Sequence, residues 1–102
     1  MAIADRATLA DIAETYANAI REEAAAKRLW ASSHRDYFGL WLVTEPIDAD
    51  AQRQLYTAEL VLYDRFPDVF LSVHVLNPRH FGDSDPAEMI PPDAIEIPLR
   101  PA

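Results

Sequence analysis

Ser33, His34 and Asp36 carry the three side-chain types of a serine-hydrolase relay. They stand almost next to one another, however, and such a relay draws its members from separated elements so that the groups can converge. The run therefore predicts a turn and no nucleophile. His34, His74 and His80 are the three histidines, and with Asp83 or Asp85 they supply metal-ligand types. His74 and His80 are split by a strand end and Pro78, which is not a ligand spacing. "DSDPAE" has alternating acids but lacks the glycine and terminal spacing of a calcium loop. No G-x-S-x-G, H-E-x-x-H, P-loop or G-x-G-x-x-G occurs. The expectation is no catalytic set, no metal and no cofactor, and a leaning away from an enzyme. Acid–base work by His74 or His80 is the reading left for enzymatic chemistry.

The best group of candidate ligand-binding residues is Glu45, Asn77, Arg79 and His80. Asn77, Arg79 and His80 follow the carboxyl end of one expected strand, and Glu45 ends another. In open α/β sheets ligands bind outside the carboxyl ends of strands. Of the histidines, His80 is the one expected to touch a ligand.

Which elements would position these groups? Residues 9–30 read as a first helix, with Leu9, Ile12, Tyr16 and Ile20 at helical spacing. Thr8 and Asp11 make a capping-box pattern, and Glu23 with Lys27 an i,i+4 pair. "YFGLWLVT", residues 37–44, reads as a strand apolar on both alternating sets, hence covered on both sides. Gly39 within it permits a close approach to the backbone. Asp48 caps a second helix over residues 49–65, with Asp50 suited to its first turn. Ala51, Leu55, Ala58, Leu62 and Phe66 form one apolar face. Tyr56, Leu60 and Tyr63 form a second beside Val61, which predicts burial on two sides.

Pro67 ends that helix, and residues 69–76 alternate as a second strand. Val69, Leu71, Val73 and Val75 point one way; Phe70, Ser72, His74 and Leu76 the other. Residues 77–93 form a long connection. Residues 94–99 read as a last strand with Ile95, Ile97 and Leu99 inward, and Pro98 marks it as an edge. The order is α-β-α-β-β with a βαβ crossover. The fold class is α+β: one domain over residues 1–102, two layers, a mixed sheet of three or four strands and both helices on one face.

Two helices on one face leave the other open. That far face is expected to gather Tyr37, Trp41, Phe70, Ser72, His74, Leu76 and Glu96. An open face this aromatic is unusual in a monomer. A second subunit, the proline-rich connection or a ligand should cover it, and the second subunit is favoured because interface cores have this composition. His74 reads as an interface or core histidine bonded to a neighbour such as Glu96.

Composition narrows the partners. The chain has 102 residues, half of them hydrophobic, and a net charge of −8. That suits one globular domain and argues against nucleic-acid binding, which needs a basic patch. No cysteine is present, which excludes disulfides and thiol chemistry and fits the cytoplasm. No apolar run reaches the roughly 18 residues of a membrane span, so no membrane partner is expected. "MAIADRATLADIAE" lacks the basic and apolar regions of a signal peptide.

The strand–helix–strand run ending in "FPDVFLSVHVLNPRHF" resembles the later strands of minimal nucleotidyltransferase domains. Such domains need a Gly-Ser motif opening a helix and carboxylates on neighbouring strands for two metal ions. Here the Gly-Ser is absent, only Asp36 precedes the first strand, and Ser72 or His74 stands where an acid is wanted. The resemblance implies a related fold without its catalytic parts. The functional expectation is an acidic, non-enzymatic, homodimerising interaction module, with small-ligand or metal binding at the strand ends, or a degenerate nucleotidyltransferase-like domain, as alternatives.

Overall fold

The computed structural model describes residues 8–99. Two helices and four strands run in the order α-β-β-α-β-β: α1 (Leu9–Ile20), β1 (Ala26–Ser33), β2 (Phe38–Thr44), α2 (Ala49–Arg65), β3 (Leu71–Leu76) and β4 (Ile95–Ile97). The sheet is mixed, in the order β3-β2-β1-β4. β2 pairs parallel with β3, while β1 pairs antiparallel with both β2 and β4.

The first helix is shorter than its composition suggests. It ends at Ile20, and residues 26–30, expected to be its last turns, belong instead to β1. "EEAAAKR" has high helix propensity, but propensity is a weak prior that packing overrides. As a strand, this segment buries Ala26, Leu29 and Ala31 against the helix side. It also gives β2 an antiparallel partner through a tight turn, in which the His34 N–H donates to the Tyr37 carbonyl at 2.8 Å. The Glu23–Lys27 helical pair is therefore not formed, and Lys27 lies instead 3.7 Å from Glu45.

Both expected caps are present. Thr8 accepts from the Asp11 N–H, and Asp11 accepts from the Thr8 N–H. Asp48 accepts from the Ala51 N–H and opens α2 at the expected residue.

Both helices pack on one face. Ile12, Tyr16, Ile20, Leu29, Leu40, Leu42, Leu55 and Leu62 make a buried cluster there, and Val69, Leu71, Val73 and Val75 pack against it as expected. Two expectations fail at the periphery. Ile95 is exposed, because β4 is an edge of only three residues. The second apolar stripe of α2, Tyr56, Leu60 and Tyr63 with Val61, is also exposed. α2 is therefore buried on one side, through Leu55, Glu59 and Leu62.

Candidate functional site

The strand-end site is built around Asn77, which the alternation of β3 carries to the top of the sheet. Asn77 is 1% exposed and its amide is fully engaged. Its Nδ2 donates to the Ile47 carbonyl at 2.9 Å and to Gln52 Oε1 at 3.0 Å. Its Oδ1 accepts from the N–H of Ile47 at 3.3 Å and of Arg79 at 3.2 Å. A buried amide with all its bonds made within the chain is a clamp between the β2–α2 loop, α2 and the turn at Pro78–His80. It positions the site and has no bond left to offer a ligand.

Above that clamp lies a cavity of about 580 Å³ between the start of α2 and the same turn. Arg79 and His80 line it, as expected of strand-end residues, together with Gln52, Arg53 and Tyr56 from α2. Gln52 Nε2 donates to the Tyr56 hydroxyl at 2.8 Å, which holds the aromatic wall in place. Arg53 is tied to Asp50 by an exposed contact of 3.0 Å. Glu45 does not line this cavity. It points towards β1, where Lys27 meets it and its N–H donates to the Ala25 carbonyl at 2.9 Å. Gln52 and Arg53 carry no expectation from the sequence, and Tyr56 reads there as part of an apolar helix stripe rather than as a site residue. Their signal was the first two turns of a helix that starts directly after a strand end.

The far sheet face brings most of its expected members together. Trp30, Trp41 and His74 stand side by side across β1, β2 and β3, with Glu96 of β4 beside Trp30. Ser32, Gly39 and Ser72 form the next row. The Trp41 ring stacks on His74 at 5.3 Å between centroids, and a side chain on Gly39 would fall inside it. Tyr37 stacks on His34 at 4.5 Å at the hairpin end. These rings leave Trp41 only 6% exposed, and Leu76 is buried too. Phe70, by contrast, is 78% exposed.

The polar groups of this face pair differently from expectation. His74 Nε2 is 2.8 Å from Ser72 Oγ, and Glu96 makes a two-pronged contact with Arg28 at 2.8 Å. Trp30 and Trp41 stand between His74 and Glu96, so no bond links them. Partial burial lowers the pKa of His74 and favours its neutral form; the Arg28 bond lowers that of Glu96. Ser32 Oγ and His34 Nε2 are buried with no hydrogen-bond partner among the described residues.

The helix layer holds a further polar group. Glu59 of α2 is buried, and burial raises its pKa, with the Tyr63 hydroxyl pulling the other way. The Tyr16 hydroxyl is raised as well, first by burial and then by the nearby Glu59 charge.

No three His, Asp or Glu side chains gather as a metal-holding group among the described residues. Ser72 and His74, which stand where the nucleotidyltransferase resemblance wants an acid, are hydrogen-bonded to each other. No described helix is long and apolar enough to cross a membrane. Comparison with protein-family models, with curated proteins and with solved structures finds no match.

Proposed function

We propose that this chain is a non-enzymatic, cytoplasmic interaction module that works as a homodimer. The observation that carries the reading is Phe70, 78% exposed at the head of an edge strand. The exposed Tyr56, Leu60, Val61 and Tyr63 of α2 add to it. Exposed large apolar groups at a sheet margin and along a helix are what an interface leaves behind when its partner is removed. Closed two-fold homodimers are the commonest oligomers. Size-exclusion chromatography with light scattering tests the reading: a dimer mass at micromolar concentration supports it, and a monomer mass over the whole range ends it.

A second reading, small-ligand binding, is favoured by the cavity of about 580 Å³ beside Arg79 and His80. Arg79 supplies a cation at this cavity in a chain of net charge −8, while Asp50 holds Arg53 and Asp48 also lines the cavity. Thermal-shift measurements with inorganic phosphate, mononucleotides and dicarboxylates test it. Stabilisation lost in Arg79→Ala supports it, and no shift with any of them removes it.

A further inference from the structure

The sheet has two edges, and they differ. An edge strand presents backbone N–H and C=O groups that no neighbouring strand meets, and proteins blunt such edges with charge, proline or brevity. β4 has all three protections: it spans three residues, Arg28 binds Glu96 on it, and Pro98 follows. β3 has none. "LSVHVL" contains no acid, lysine, arginine or proline. Exposed Phe70 extends it.

We infer that β3 is the dimer edge, pairing antiparallel with β3 of a second copy to make one continuous sheet. This rests on the homodimer reading above. The backbone selects the register. The Phe38 N–H donates to the Phe70 carbonyl at 3.0 Å. Both groups of one strand residue point the same way, and the direction alternates along the strand. Phe70, Ser72 and His74 therefore face β2, while Leu71, Val73 and Val75 turn their N–H and C=O groups outward. No bond meets those outward groups among the described residues.

A two-fold axis through Val73, normal to the sheet, pairs Val73 with Val73 and Leu71 with Val75. Each such pair exchanges two hydrogen bonds, about six in all. Beside them Ser72 meets His74, and Phe70 meets Leu76, which gives the exposed ring an apolar neighbour. A shift of two residues loses one bonded pair. A shift of one sets outward groups against inward ones and puts the helices of the two copies on opposite faces. Charge agrees with the pairing. Copies of net charge −8 repel in most orientations, β3 is uncharged, and antiparallel order sets the Asp68 end of one copy against the Arg79 end of the other.

Light scattering and a single-cysteine cross-link test the inference. Val73→Pro and Phe70→Lys, each checked for fold by circular dichroism, should each raise the dissociation constant about tenfold or more, the first by the loss of roughly two net hydrogen bonds and the second by the loss of the apolar contact with Leu76 and the added charges. Ile95→Lys on β4 should leave it unchanged. The chain has no cysteine. Val73→Cys should therefore cross-link to itself under mild oxidation, because a bonded antiparallel pair lies within disulfide reach, and Ile95→Cys should not. If Val73→Pro unfolds, Phe70→Lys and the cross-link decide alone. A wild-type monomer overturns the homodimer reading and this inference together. A dimer that survives Phe70→Lys and yields no cross-link at Val73 keeps the reading and overturns the β3 edge.

Discussion

The two faces of the sheet are made from alternate residues of the same strands, yet they are buried by different means. On the helix side Leu29, Leu40 and Leu42 lie among aliphatic side chains of α1 and α2, with no water contact. On the far side Trp41 is buried by stacking on His74 over the bare backbone of Gly39. The first face follows apolar area and packing density. The second depends on ring orientation and on Gly39 having no side chain. Truncating a helix-side residue is therefore expected to cost more stability than truncating a far-face one. The far side and the β3 edge beside it keep polar and aromatic groups at a surface where recognition can use them.

Leu42→Ala should give the largest effect, since it hollows the helix-side core; a loss of about 2–5 kcal/mol is expected by denaturant unfolding. If it costs no more than far-face changes, the contrast between the faces collapses. Gly39→Ala should come next, at about 1–3 kcal/mol, because its methyl displaces the Trp41 ring. A near-neutral result would mean that Trp41 is free to move. Glu59→Gln should raise the melting temperature at neutral pH and make no difference in acid. Its raised pKa means that the folded state favours the protonated carboxyl. That contribution is complete below the ordinary value of 4.5 and is lost as pH rises through the folded value. The smallest effect should come from His74, with the opposite sign. Its lowered pKa gives a contribution present above the ordinary value of 6.5 and lost as pH falls through the folded value. His74→Gln should flatten the slope of stability just below that pH, and an unchanged slope would place the titration elsewhere.

Much of this architecture was legible in the residues. Asp48 and Pro67 bracket α2 because a side-chain acceptor and a missing N–H act locally. The alternation of residues 69–76 sorted β3 onto its two faces for the same local reason. β1 was not legible as a strand. Its alternation, Leu29 and Ala31 against Arg28, Trp30 and Ser32, is short, and an alanine- and glutamate-rich stretch with strong helical preference precedes it. That one omission misplaced Glu45, whose neighbour Lys27 comes from β1. It also made a bond between His74 and Glu96 look possible, although β1 and β2 lie between them. Arg79 and His80 were legible as strand-end residues. Asn77 is legible as a strand-end residue, while only packing shows that its amide is already hydrogen-bonded within the chain.

By itself, the sequence determined what local chemistry controls: the two caps, the extent of α2, the doubly apolar run of β2, the alternation of β3, and the lack of thiol chemistry. The tertiary structure decided where α1 stops, which strands are edges, and which polar groups meet. Those outcomes depend on burial and on contacts between residues distant along the chain, so the local pattern cannot express them.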